Sequence, residues 1–135
     1  MDTGALLALL NKADPWHCAC VAAYRSLQLP FLTSEAVLAE LFHLLDREQK
    51  TLDAGWAMLD CGVVSLATIE HKELPAMREL MMKYRDRPMD FADATLVYLA
   101  RRESISTIFT VDHNDFETYR IEGKRRFRIV PSRRS

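Results

Sequence analysis

Glycine is scarce. Four occur in 135 residues, Gly4, Gly55, Gly62 and Gly123, and none lies in a G-x-G-x-x-G or Walker-type loop. Phosphate-cradling nucleotide sites of those kinds are therefore not encoded. Cysteine is scarcer still, with Cys18, Cys20 and Cys61 alone. An odd count argues against a disulfide framework and for a reducing, cytoplasmic setting. His17-Cys18-Ala19-Cys20 invites a zinc reading, but no second group of Cys and His follows at ligand spacing. The plain reading is a helix with Trp16, Cys20 and Tyr24 on one face. No apolar run approaches the roughly 20 residues of a membrane span, and no basic segment precedes the first apolar stretch, residues 4–10. Neither a span nor a secretion signal is expected.

Strong charge of one sign is also missing, since 18 basic and 19 acidic side chains leave a net −1. Taken alone, that weighs against a protein that coats nucleic acid. The sum hides a division. Residues 120–135 carry Arg120, Lys124, Arg125, Arg126, Arg128, Arg133 and Arg134 against Glu122, a net +6, so residues 1–119 hold −7. Hydrophobic residues are 49% of the chain, enough for one core, and a single domain spanning 1–135 is expected.

Helical stretches alternate with short apolar runs. Helices are expected over 4–11, from the Asp14-Pro15 cap to about Gln28, from the Ser34 cap to about Glu48, over Thr51 to Asp60, through Met77, Leu80, Met81 and Tyr84, and from Asp90 to Glu103. Strands are expected at Phe31–Thr33, Val63–Leu66, Thr107–Val111 and around Phe127 and Ile129. Strands joined by helical crossovers imply an α/β sandwich of three layers with a central, mostly parallel sheet.

Carboxylates stand out within this frame. Glu40 has Ala36, Val37, Leu41 and Leu44 at helical spacing, so it reads as a carboxylate on a core-facing stripe, costly unless paired or bound to a cation. Its plain alternative, of equal weight, is the stripe's edge, with the carboxylate reaching solvent or pairing with Arg47. Asp93 lies one turn into a helix that Asp90 is well placed to cap. Asp112 ends the strand Thr107–Val111, where ligands gather in open parallel sheets. Asp115 follows, with an alternative as the cap of the next helical turn. Asp2 precedes the first helix much as Asp112 follows its strand. Carboxylates a few ångströms apart repel by roughly 4 kcal/mol per pair at a surface-like dielectric. Such a group persists if protonated or if a hard divalent ion, Mg²⁺ or Mn²⁺, sits among them.

Four segments then carry a resemblance. They are Asp2-Thr3-Gly4-Ala5-Leu6-Leu7-Ala8-Leu9, Ala39-Glu40-Leu41, Met89-Asp90-Phe91-Ala92-Asp93-Ala94, and Phe109-Thr110-Val111-Asp112-His113-Asn114-Asp115-Phe116. In this order and spacing the chain resembles a PIN-domain ribonuclease of the VapC-like toxin kind. The resemblance implies a PIN-like fold with an acidic pocket at the sheet's edge. It matches Asp2, Glu40, Asp93 and Asp112 to the family's acidic quartet, which would hold Mg²⁺ or Mn²⁺. Asp115 and Asp90 match supporting positions, and Thr110 matches a hydroxyl that supports the site. The resemblance also implies RNA as substrate, an antitoxin partner and a homodimer. One departure is visible: family members have an apolar strand before the first Asp, and here Met1 alone precedes Asp2. Either the chain begins mid-strand with a shortened first strand or the true start lies upstream, and an N-terminally extended form is expected to be more stable and more active.

The chemistry so implied is hydrolysis of an RNA phosphodiester by metal-activated water, with no His or Cys nucleophile. Arg120, Lys124, Arg125, Arg126 and Arg128 are candidates for holding RNA phosphates away from the acidic pocket. Rival readings are a PIN-like nuclease of RNA maturation and a non-catalytic PIN-like module that docks RNA or protein. His43 and His113 read as surface or supporting residues. Trp16, Trp56 and the Met77–Met82 cluster read as core or dimer interface.

Overall fold

The computed structural model describes residues 1–45 and 48–133. Helix α1 spans Thr3–Leu10, α2 His17–Ser26, α3 Glu35–Leu44, α4 Gln49–Asp60, α5 Leu74–Lys83, α6 Phe91–Arg102 and α7 His113–Thr118. Strand β1 spans Phe31–Thr33, β2 Val64–Leu66, β3 Thr107–Phe109 and β4 Arg128–Val130. The expected sandwich of helices over parallel strands is observed. β1 pairs parallel with β2, Leu32 opposite Ser65, and β3 pairs parallel with β4, Ile108 opposite Ile129.

Met1 and Asp2 join the two pairs. The Met1 ammonium donates to the Leu32 carbonyl at 2.7 Å, and the Asp2 N–H donates to the Phe109 carbonyl at 2.9 Å. Thr33 Oγ1 donates to the Met1 carbonyl at 2.9 Å. These two residues therefore lie between β1 and β3 and bridge the two pairs, in the place where the sequence suggests a shortened first strand, although neither is part of a regular strand. Immediately before Met1 lies a cavity of about 480 Å³, lined by Leu29, Phe31, Leu32, Ile108, Phe109 and Phe127 among others.

Local chemistry explains most element boundaries. Ser34 Oγ accepts from the Val37 N–H at the start of α3, and Asp90 accepts from the Asp93 N–H at the start of α6, as expected. Asp14 instead accepts from the Trp16 N–H in a turn, so α2 opens at His17, later than the proline suggested. Helix α3 closes at Leu44, short of Glu48; Arg47, the partner considered for Glu40, is outside the described residues. β3 ends at Phe109 because Thr110 spends its hydroxyl on a turn: Thr110 Oγ1 accepts from the Asp112 N–H at 3.0 Å. Helix α1 packs on α2, α3 and α4, and α6 packs on α3 and α5. Between them lies a core that includes Leu6, Val37, Leu41, Met77, Val97, Ile108 and Phe116. Cys20 is buried there, Cys18 and Cys61 are exposed, and none forms a disulfide. No helix among the described residues is long and apolar enough to cross a membrane.

Candidate active site

The site forms where the Met1–Asp2 segment runs into α1, at the carboxyl end of β3. Asp2 is the N-cap of α1, extended at φ −94° and ψ 161°, with Oδ1 accepting from the Thr3 N–H. Its other oxygen, Oδ2, accepts from Thr110 Oγ1 at 2.7 Å. Thr110, fully buried, thus ties Asp2 to the Asp112 backbone with a single hydroxyl. Gly4 permits this approach: a Cβ there would stand 2.7 Å from Val111 Cγ2, well inside contact distance.

Asp93 enters from the first turn of α6. Its Oδ2 accepts from the Tyr119 hydroxyl at 2.9 Å. Tyr119 is itself fully buried, wedged edge-on between Tyr84 and Phe116. Asp112 is the N-cap of α7, its Oδ1 accepting from the Asp115 N–H at 3.1 Å. The sequence offered Asp115 as that cap; Asp112 takes the role because β3 ended early and brought the helix start forward. Asp115 is free to reach Arg87, whose Nη1 lies 3.2 Å from Asp115 Oδ1. His113 is buried and supporting, with ring nitrogens on the Val111 and Pro131 carbonyls.

The carboxylates feel one another. Burial pushes the Asp2 carboxyl up, against the bonds from Thr110 and Thr3, and the charge of Glu40 adds to the push. Asp93 is pushed up from 3.8 to about 7, first by burial and then by the charges of Asp90, Asp2 and Asp115. Asp112 is raised by burial and by the charges of Asp115 and Asp2. The Tyr119 phenol is raised too, by burial and by its place beside Asp93. Residues 2, 40, 90, 93, 112 and 115 are therefore electrostatic neighbours, although they span most of the chain.

Glu40 needs correction. It does not lie on a core-facing stripe: its side chain is exposed, and of the four expected apolar neighbours only Val37 and Leu41 are buried, while Leu44 is 54% exposed. It stands at the rim, close enough to act on Asp2 through its charge. Asp90 is exposed and caps α6. In the basic tail, Arg120 Nη1 is committed to the carbonyls of Glu117, Thr118 and Tyr119, whereas Lys124, Arg125, Arg126 and Arg128 are exposed. Trp56 is not core; it is 54% exposed and stacks on Phe42. Two partners of the acidic residues were invisible in the sequence, Tyr119 and Arg87. Neither sits in a motif, and their bonds span 26 and 28 residues.

The donor set suits a hard divalent cation: carboxylate oxygens, with Asp2, Asp93 and Asp112 raised first by burial and then by neighbouring charge, which a cation would relieve. The Thr3 hydroxyl, next to Asp2, is the one buried side-chain oxygen or nitrogen among the described residues with no partner. Among those residues no three His, Cys, Asp or Glu side chains stand close enough to coordinate one ion together. The fit is therefore one of chemistry: hard carboxylate oxygens suit Mg²⁺ or Mn²⁺, which Asp2, Asp93 and Asp112 would hold.

Comparison with known proteins follows the same line. The family model of the PIN domain matches residues 1–122. The chain is 31% identical to ribonuclease VapC26 of Mycobacterium tuberculosis over 141 aligned positions, covering 97% of this chain and 98% of that protein. It superposes on the crystal structure of VapC20 of Mycobacterium tuberculosis, described as a sarcin-ricin loop cleaving toxin, with a TM-score of 0.72. That match covers 84% of this chain and 91% of the other at 24% identity, and speaks for the fold. The sequence motifs, the parallel sheet with its acidic end and these matches converge: the chain belongs to the PIN-domain family.

Proposed function

We propose that the protein is a divalent-metal-dependent endoribonuclease and the toxin of a toxin–antitoxin pair. The observation that carries the reading is the gathering of Asp2, Asp93 and Asp112 at one end of the sheet, each with its carboxyl pushed up by burial and by its neighbours. The ribonuclease relative supports RNA as substrate. Asp2, Asp93 and Asp112 would hold Mg²⁺ or Mn²⁺, with Glu40 at the rim and Asp115 in support. When bound, the ion supplies an activated water and offsets charge developing on the phosphate oxygens.

The chain's own residues prepare that chemistry. Thr110 fixes Asp2 and, through the Asp112 N–H, the turn that carries Asp112. Tyr119 holds one oxygen of Asp93 and leaves the other for a ligand. A raised carboxyl at Asp93 keeps the pocket from carrying its full negative charge before a cation arrives. The exposed Lys124, Arg125, Arg126 and Arg128 form the candidate RNA-holding surface. A cytoplasmic setting, an antitoxin covering the acidic end and a homodimer complete the proposal.

The test is cleavage of single-stranded RNA by purified protein with Mg²⁺ or Mn²⁺, beside Asp93→Asn. The expected result is metal-dependent cleavage by the parent and none by the variant, with an unchanged far-ultraviolet circular dichroism spectrum. Equal cleavage by both overturns the reading. No cleavage by either, with no thermal stabilisation by Mg²⁺, favours a docking module.

A further inference from the structure

The acidic end of the sheet meets a basic side chain of the protein's own. Among the described residues, Arg87 is the basic side chain in an ion pair with a carboxylate of the site, Nη1 to Asp115 Oδ1 at 3.2 Å. The other arginines near this end are occupied. Arg120 serves three backbone carbonyls, and Arg133 bonds Glu117 and Asn114.

The position of Arg87 is fixed from below. Its N–H donates to the Tyr84 carbonyl at 3.0 Å, and Pro88 follows directly. The Tyr84 hydroxyl accepts from the Arg120 N–H at 2.9 Å, and the Tyr84 ring meets the Tyr119 ring edge-on at 5.0 Å. Tyr119 in turn holds Asp93. The turn that carries Arg87 is thus braced against the residue that orients a buried site carboxylate. The guanidinium end is open: the Arg87 side chain is 46% exposed and that of Asp115 28%. An ion pair that wet adds little to folding stability. It can be exchanged at small cost for another oxyanion, and a guanidinium fork matches a phosphate as well as a carboxylate.

We propose that Arg87 is a substrate-positioning residue: it rests on Asp115 in the free protein and transfers to a phosphate of the bound RNA strand, seating that strand over the acidic end of the sheet. The exchange conserves charge, one anion replacing another on the same guanidinium. It also frees Asp115 as the substrate arrives. This inference rests on the nuclease reading above.

The experiment compares Arg87→Gln, Arg87→Lys and Asp115→Asn. Steady-state cleavage of a single-stranded oligoribonucleotide gives kcat and KM. Salt-dependent binding of the same RNA is measured with each substitution placed in the Asp93→Asn background, where no cutting occurs. Arg87→Gln is expected to raise KM about tenfold with a smaller change in kcat. The slope of log affinity against log salt should become shallower by about 0.7, the loss of one phosphate contact to a single strand. Arg87→Lys should recover the slope and only part of KM, because an ammonium is a point charge. An unchanged slope and KM in Arg87→Gln overturns the proposal. So does an Asp115→Asn variant that reproduces the whole Arg87→Gln effect, because Arg87 would then serve only to hold Asp115. Parent protein that neither binds nor cuts RNA overturns the nuclease reading itself, and the role of Arg87 with it.

Discussion

The two ends of the Met1–Asp2 segment are built differently. At the Asp2 end the carboxylate and its turn are held. Asp2 has a partner on each oxygen, Thr110 makes two bonds, and Gly4 lets α1 close to contact on Val111. At the Met1 end the same segment meets a cavity of about 480 Å³ walled by apolar side chains. The ladder pattern shows what faces that space. Thr110 bonds β4 through its N–H and Phe109 accepts from Asp2, so alternation turns the backbone of Thr107 and Phe109 away from β4 and towards the cavity. Leu32 faces it from the other wall, its carbonyl on the Met1 ammonium. Burial pushes that ammonium down from 8.0 to about 6. One end of a two-residue segment is therefore completed by polar chemistry and carries the site. The other presents unpaired strand backbone and a terminus that burial drives towards the neutral amine, both of which cost stability.

The largest expected effect comes from filling the weak end. An added Ile-Val-Ile ahead of Met1 replaces the buried ammonium by a peptide bond and lays three apolar side chains along the slot. Apolar burial of roughly 2 kcal/mol per side chain, less about 1–2 kcal/mol per residue of ordering entropy, leaves a gain of up to about 3 kcal/mol, to which relief of the buried terminus adds. Melting temperature should rise by roughly 5–10 °C. A Gly-Ser-Gly extension should not raise it, and equal effects from the two extensions would mean that the slot does not accept a strand. Next in size is a disturbance of the strong end. Gly4→Ala sets a methyl against Val111 and should cost about 1–3 kcal/mol, with lower RNA cleavage as Asp2 and Asp112 move apart. Combining it with Val111→Ala removes the clash and should restore most of the melting temperature; a double variant no better than Gly4→Ala would locate the cost elsewhere.

A third prediction concerns the charge stored at the strong end. The unfolded chain loses the Asp93 proton near 3.8, while the folded protein keeps it to about 7. Over that interval the native state binds more protons, so metal-free stability falls as pH rises. Asp93→Asn removes this contribution. The variant and the parent should melt within a degree or so of each other near pH 4, and the variant should melt several degrees higher at pH 7.5 without metal. Mg²⁺ should then stabilise the parent and leave the variant unmoved. A gap independent of pH would remove Asp93 as the source.

How far the sequence reached follows from the range of each interaction. Caps were legible because they are local: Ser34 and Asp90 bond N–H groups three residues on. The place of a shortened first strand was legible from Met1 standing directly before Asp2. Glu40 was left between a core-facing stripe and its edge because helical spacing alone does not give the width of a buried stripe; α3 stops at Leu44, its last turn is wet, and the edge reading is the one observed. The sequence placed Asp112 at a strand end and offered Asp115 as the cap; Asp112 takes the cap because a side-chain bond from Thr110 turns the chain there, three residues before Asp115. Tyr119 lies at the edge of a basic stretch, where nothing local signals full burial, and Arg87 meets its partner only after α6 and β3 have folded between them.

The smallest effect tests whether the raised carboxyls belong to the site or to carboxylates in general. Glu73, beside the far end of the same helix α6 that begins near Asp93, is held down from 4.5 to about 2, first by the Tyr98 hydroxyl and then by Arg102. Here the sign reverses. A lowered carboxyl contributes stability above pH 4.5 and loses it as pH falls towards about 2. Glu73→Gln should therefore lower the melting temperature by about 1–2 °C at pH 7, a small change because its partner Arg102 is exposed to solvent. The difference should close as pH drops below 4.5, whereas the Asp93→Asn difference opens as pH climbs from 4 to 7.5. Two variants along one helix with opposite pH profiles would tie the upward shift to burial at the acidic end of the sheet; parallel profiles would break that assignment.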